Sequence, residues 1–347
     1  MLVDSPPEQR AETAPAPPTR RVVRALGLLL SVVLLLLVAL ASIAIGAKGL
    51  SLDQVWHGLF HDTGTYGDVV VDERLSRTLL GLLVGAALGL SGAVLQALTR
   101  NPLADPGLLG INAGASAAVV TAITYFGVTS LTGYVWFAFL GASAVGALVW
   151  FLGGSRGATP VRLALAGTAI SAALYGYLQA VMITNGAALG KMRFWTVGSL
   201  VSAGYSTITQ VLPFLAVGTV LALALARPLN AVEMGDDTAR ALGANLDRTR
   251  ALAMLAAVVL SGAATAACGP IVFVGLMVPH VVRSFTGPDL RWILPYATVL
   301  APVLLLGADV VGRVVARPAE LQVGIVTAII GGPVFIFLVR RRRTAQL

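Results

Sequence analysis

Apolar residues run through this chain in long blocks separated by short polar turns, a rhythm that predicts membrane-spanning helices. Against the roughly 20 apolar residues that a helix needs to cross hydrocarbon, about ten segments qualify. They are 25–46, 75–98, 108–127, 133–153, 163–184, 206–226, 251–268, 270–283, 293–312 and 322–339. The expected fold class is all-α and polytopic, because helices satisfy their backbone internally in lipid. One polar stretch, 227–250 (RPLNAVEMGDDTARALGANLDRTR), carries folding signals of its own. Gly235 interrupts it, Asp236 suits the N-cap of a second short helix, and Gly243 suits the position just past that helix's end. Asp236 and Asp237 fall at the positive end of that helix and Arg240 toward its negative end. Leu229, Val232, Ala239 and Leu242 supply an apolar side. The pattern predicts a pair of short amphipathic helices pinned to the membrane at both ends, either a docking element or a capped, solvated loop.

Two places break the rhythm. The run 270–283 is short for a crossing and is bounded by Gly269-Pro270 and Pro279-His280. Interrupted apolar segments of this kind mark transport paths. The run 75–98 closes on Asn101-Pro102-Leu103-Ala104-Asp105-Pro106-Gly107, a polar turn with two prolines. Irregular backbone at membrane depth persists only when buried in protein or lining a cavity.

Composition agrees with a membrane protein: 57% of residues are hydrophobic and 12% charged, with mean hydropathy +0.85, against about 25% charged in soluble domains. The net charge of +8 therefore implies no nucleic-acid partner, since the basic residues flank apolar spans. With the N-terminus inside, 17 of the 24 basic residues fall on the inner side, as the positive-inside rule requires. Both termini and 227–250 are then cytoplasmic, in a multi-pass cell-membrane (inner or plasma membrane) protein. Residues 1–24 read as a disordered tail, 25–340 as the transmembrane domain, and 341–347 as a basic tail. The single cysteine, Cys268, excludes an internal disulfide and reads as a packing residue. His57 and His61 have i,i+4 spacing, but no third ligand follows from it, so no metal site is expected.

At 74–114, RLSRTLLGLLVGAALGLSGAVLQALTRNPLADPGLLGINAG, the chain resembles the FecCD-type permeases, the membrane subunits of ATP-driven importers for iron–siderophores, haem and cobalamin. The resemblance continues through LALAGTAIS (163–171), WTVGSL (195–200), LNAVEMGDDTARALG (229–243), GPIVFVGLMVPHVVRSFTGPDLR (269–291) and ELQVGIVTAIIGGP (320–333). It implies two inverted halves and a second permease chain, either a copy or a paralogue, around a central path. It also implies two ATP-binding subunits on the cytoplasmic face and an external substrate-binding protein that hands over a metal chelate. The chain has no G-x-x-x-x-G-K-[ST] loop, so it is expected to be no enzyme and to hold no cofactor; ATP and Mg would be bound by the partner.

The same resemblance assigns residues. Glu233, Gly235, Asp236, Asp237, Ala239, Arg240 and Gly243 match the loop that couples to the ATPase. Arg74 and Arg77, read as opening the second span on its outer side, and Arg313, at the outer end of the ninth, match arginines that dock the binding protein. The alternative is internal pairing, Asp72 and Glu73 with the first two and Asp309 with Arg313. Ala158, Thr159 and Pro160 match an inner constriction, with Asn101 and Leu103 on the neighbouring turn. Gln96 and Gln179 read as hydrogen-bond partners between helices, and His280 as a structural hydrogen bond. Two rivals differ in class. Gly89-Leu90-Ser91-Gly92 with His280 would suit an intramembrane serine protease, and an ion-driven carrier would need an intramembrane carboxylate, for which Asp309 is the candidate.

Overall fold

The computed structural model describes residues 18–46, 49–60, 64–128, 130–153, 160–201 and 204–344. Among the described residues there are helices and no strands. In chain order they are α1 (Pro18–Ala44), α2 (Leu52–Phe60), α3 (Tyr66–Thr99), a 3-10 turn (Pro106–Leu109), α4 (Ile111–Tyr125), α5 (Leu131–Leu152), α6 (Pro160–Thr184) and α7 (Gly186–Trp195). The second half holds α8 (Tyr205–Ala224), α9 (Ala226–Glu233), α10 (Asp236–Ala241), α11 (Leu246–Cys268), α12 (Val274–Thr286), α13 (Leu290–Val315) and α14 (Val323–Thr344). Among the described residues seven helices are long and apolar enough to cross a membrane, and α4 and the apolar part of α14 are shorter. Each expected span overlaps one helix.

The differences lie at the ends. The structure starts α1 at Pro18 and carries α14 to Thr344, into both segments read as tails, because arginine is a good helix former in its own right. Helix α3 begins at Tyr66 rather than at 75, with Asp68 Oδ2 accepting from the backbone N–H of Thr65 (3.0 Å). Helix α12 starts only at Val274. Pro270 has no N–H to give, and Phe273 takes φ +70°, outside helical geometry, so 269–273 enters the bundle as irregular backbone.

Helix α3 is the hub. It packs on α11, α12 and α13, and its glycines set the approach. A Cβ on Gly85 would lie 2.6 Å from Pro302 Cα, and one on Gly89 2.6 Å from the Ala297 carbonyl. Small residues let helices meet backbone to backbone in lipid, where dispersion rather than water expulsion holds them. At the periphery, α1 and α8 turn leucines and valines outward, Leu30, Leu36, Val217 and Val220 among them. The bundle thus has two working ends. One carries α9, α10 and the ends of α3 and α12; the other carries the ends of α1 and α13 and the start of α3.

Candidate functional site

At the first end, α9 and α10 form a folded element with a small core of its own. Val232, Ala239 and Leu246 are buried together against Ala231 and Ala244. Gly235 takes φ +112° between the helices and Gly243 takes φ +78° after the second, left-handed values that favour glycine. The Gly243 N–H donates to Arg240 O (2.9 Å) and the Ala244 N–H to Ala239 O (2.9 Å), closing α10. Asn245 then caps α11 by accepting from Arg248 N (3.0 Å).

Polar contacts tie this element to four other helices. Arg100, just past the end of α3, donates from Nε to Val232 O (2.7 Å) and pairs with Asp236. Arg250 on α11 donates from Nη2 to both Asp236 oxygens (2.9 and 2.8 Å). Arg283 on α12 pairs with Glu233 (2.9 Å). Asn230 donates to Asp289 Oδ1 (2.8 Å) and accepts from Leu290 N (2.9 Å) at the start of α13. The Arg100 guanidinium, with Arg250 behind it, holds the Asp236 carboxyl below the usual carboxylate range despite some burial. Burial pushes Glu233 up, and Arg283 opposes the shift.

Two sequence expectations change here. Gly235, not Asp236, is the N-cap of α10, because the Asp236 carboxylate is spent on two arginines. Leu242 does not join the apolar side; it is 64% exposed. The element is therefore two-faced. Glu233 and Asp236 turn inward to anchor it, while Met234, Asp237, Arg240 and Leu242 are exposed on its free face, with one loose pair between Arg240 and Asp237 (3.4 Å).

At the second end, Arg74, Arg77 and Arg313 are all buried (8%, 8% and 1% exposed). Arg74 and Arg77 lie inside α3, and Arg313 lies in the last turn of α13. With α3 starting at Tyr66, the arginines of α3 no longer sit at a helix N-terminus, and no dipole opposes them. Arg77 reaches Asp309 (Nη2–Oδ1, 2.6 Å) and Glu320 (Nη1–Oε2, 2.7 Å). Asp309 also pairs with Arg313 (3.1 Å), the i,i+4 pair visible in the sequence. Asp72 and Glu73 are exposed, and Asp72 accepts from Tyr205 Oη (3.0 Å). A further role has no local signature: the arginines terminate α1. Arg313 donates to Ser42 O (2.8 Å), Arg74 to Ile43 O and Ala44 O (3.0 Å each), and Arg317 to Gly46 O (2.6 Å). The last carbonyls of a helix lack intrahelical partners and carry its negative dipole end, so cations there are stabilising.

The turn after α3 is ordered by its own side chains. Asn101 Oδ1 accepts from Leu103 N (3.0 Å), and Asp105 Oδ1 accepts from Gly107 N (2.8 Å) at the start of the 3-10 turn. Burial pushes the Asp105 carboxyl up to about 6. Asn101 and Leu163 line one small cavity of ≈ 40 Å³, so this turn does meet the start of α6. Ala158 and Thr159 lie outside the described residues, as does His61; Pro160 opens α6.

A larger cavity that no sequence pattern signals, ≈ 530 Å³, is walled by Tyr134, Lys191, Trp195, Cys268, Glu320 and Gln322 among others. Three irregular segments meet there. Ser199 N donates to Cys268 O (2.7 Å) and Gly324 N to Gly198 O (3.2 Å), which explains why 269–273 tolerates non-helical backbone. Gln96 donates to Leu276 O (3.0 Å), joining α3 to α12, whereas Gln179 is exposed on α6. Ser91 Oγ is buried with no hydrogen-bond partner among the described residues, so no base among them contacts it. Asp309 is held between two arginines, a poor carboxylate for carrying an ion across.

A family model described as the FecCD transport family matches residues 34–341. The chain is 48% identical over 314 residues to the ferric enterobactin transport system permease protein of Escherichia coli, spanning 89% of this chain and 93% of that one. It is 38% identical over 324 residues to the hemin transport system permease protein of Yersinia pestis, spanning 92% and 96%. A solved structure described as an inward-facing conformation of a metal-chelate type ABC transporter superposes with TM-score 0.81 at 28% identity, over 91% of this chain and 99% of that one.

Proposed function

The chain belongs to the FecCD transport family, and from that membership we propose that it is the permease subunit of an ATP-driven importer whose cargo is a metal chelate. An iron(III)–siderophore is the first choice of cargo. The observation that carries this reading is the near full-length similarity to a ferric enterobactin permease. The relative that transports hemin makes haem the second choice, and cobalamin completes the chelate class.

In this reading α9 and α10 seat in a cleft of an ATP-binding subunit, with their free face, Met234, Asp237, Arg240 and Leu242, as the contact. ATP and Mg belong to that subunit, two copies of which stand below two permease chains. Its closure displaces α9 and α10. Because Arg100, Arg250, Arg283 and Asn230 fasten them to α3, α11, α12 and α13, the displacement rocks whole helices rather than a loop. The opposite end receives the external binding protein. Its carboxylates meet the Arg74, Arg77 and Arg313 cluster, exchanging with Glu320, the more exposed of the two acids that pair with Arg77, whose side chain is 30% exposed. The Asn101–Leu103 turn and the start of α6 near Ala158, Thr159 and Pro160 form the inner gate. The N-terminus is cytoplasmic and the membrane is the inner or plasma membrane.

Uptake into proteoliposomes containing this chain, its permease partner, ATPase and binding protein tests the proposal. Ferric enterobactin, hemin and cobalamin are offered separately. Accumulation of one chelate that follows internal ATP and ignores an imposed membrane potential supports it. Accumulation driven by an ion gradient without ATP favours the secondary carrier.

A further inference from the structure

Beneath α8, at the end of the bundle that carries α9 and α10, a groove of ≈ 280 Å³ opens between the α8–α9 junction and the start of α13. Leu223, Arg227, Leu290, Arg291, Leu294 and Pro295 line it. Its volume is about nine waters' share of the liquid, ample for a glycerophosphate group and too small for a whole lipid. The lining combines leucines and a proline with two guanidinium groups.

The charges are only partly consumed internally. Arg227 is exposed and forms no ion pair or hydrogen bond among the described residues. Arg291 uses Nε and Nη2 on the Asp289 carboxylate (3.1 and 2.9 Å), which fixes the guanidinium plane and leaves Nη1 uncommitted. Asp289 is in turn held by Asn230 (2.8 Å). Asp289 thus pairs with Arg291 alone, and Arg227 has no carboxylate partner among the described residues, at the positive end of the 26-residue α13. Above the groove, Val217, Val220 and Leu223 are 65%, 69% and 42% exposed. Spaced three residues apart, they form one apolar strip on α8 that runs into the bilayer and ends at Arg227. A basic pocket between transmembrane helices at the membrane surface, continued by an apolar strip, is the recognition surface of an acidic lipid.

We propose that this groove binds one anionic phospholipid, its phosphate between Arg227 and Arg291 and an acyl chain along Leu223, Val220 and Val217. The inference goes beyond transport, resting only on the reading of the chain as a membrane-embedded permease. Arg227 is also the second residue of α9, so the lipid sits at the junction where α9 leaves the bundle.

The test is native mass spectrometry of the detergent-solubilised chain titrated with phosphatidylglycerol, phosphatidylcholine or inorganic phosphate. Phosphatidylglycerol is expected to be retained one per chain, with phosphatidylcholine and phosphate lost. The double variant Arg227→Gln with Arg291→Gln is expected to bind phosphatidylglycerol about 30-fold more weakly, while the lysine pair Arg227→Lys with Arg291→Lys keeps most of the affinity. A circular-dichroism melt shows whether the glutamine variant is folded; if it is not, Leu223→Glu, which opposes the acyl chain, replaces it. Equal retention of phosphatidylglycerol by wild type and the folded variant overturns the proposal. Equal retention of phosphatidylcholine, or binding of phosphate alone, also overturns it. No arm measures uptake, so failure here leaves the permease reading intact.

Discussion

Asp309 is fully buried between Arg77 and Arg313 and is the residue whose loss should be felt most. Removing one member of a buried ion cluster strands the others, a loss of about 3–5 kcal/mol. Asp309→Ala should therefore lower the melting temperature of the purified chain far more than Glu320→Ala, whose carboxylate is nearer the surface. A similar melt for both would mean that the cluster is solvated. The i,i+4 spacing of Asp309 and Arg313 was legible in the sequence; the partnership of Arg77 with Asp309, and the use of three arginines to end α1, was not, because local spacing says nothing about residues on distant helices. Asp105 makes a pH prediction. Its folded pKa is raised from 3.8 to about 6, so its contribution to stability is present below the unfolded value and is lost as pH rises through about 6. Asp105→Asn keeps the acceptor for Gly107 and should remove that part of the pH dependence, measured as melting temperature between pH 4 and pH 8 (approximate bounds set by the two pKa values). An unchanged profile would contradict the burial of this carboxyl.

At the scale of elements, Gly243 decides whether α10 closes. Its φ of +78° and the open space around it mean that backbone conformation, not crowding, requires glycine. Asparagine tolerates the left-handed region and a β-branched residue does not, at about 1–2 kcal/mol. Gly243→Asn should retain most transport, Gly243→Val should lose much of it, and Gly243→Pro, which also deletes the N–H bonded to Arg240, should abolish it with membrane insertion intact. Equal uptake by all three would remove α10 from the coupling path. Gly92 is the opposite case, since a Cβ there would run into the Gly275 backbone of α12. Gly92→Ala should destabilise by roughly 1–3 kcal/mol through overpacking, visible as a lower melting temperature. The breaks around α10 were readable because glycine and aspartate mark helix ends, whereas the inward pairing of Asp236 depended on Arg100 from another helix. The early start of α3 was missed because hydropathy detects lipid-facing length, not a polar helical extension; the Thr65-x-x-Asp68 spacing was the available signal.

For the whole molecule, the all-helical bundle was legible because lipid leaves the backbone few alternatives. The meeting of 195–201, 268–273 and 320–324 was not, since those contacts run through backbone atoms that any sequence supplies. What remains is a bundle with one arginine cluster at one end, the folded α9–α10 element at the other, and α3 joining them, with Arg77 in its first half and Arg100 just past its end. In the function proposed above, an ATPase drives this bundle through the free face of α9 and α10. The most direct measurement is affinity purification of the chain from its native membrane with quantitative mass spectrometry of what stays bound, for wild type and for Leu242→Asp. Leu242 is exposed, so the substitution should leave the fold alone. An ATP-binding subunit is expected with wild type and is expected to be largely lost from the variant. A wild-type chain that emerges stable without any ATPase, or a variant that keeps as much of it, would contradict the account.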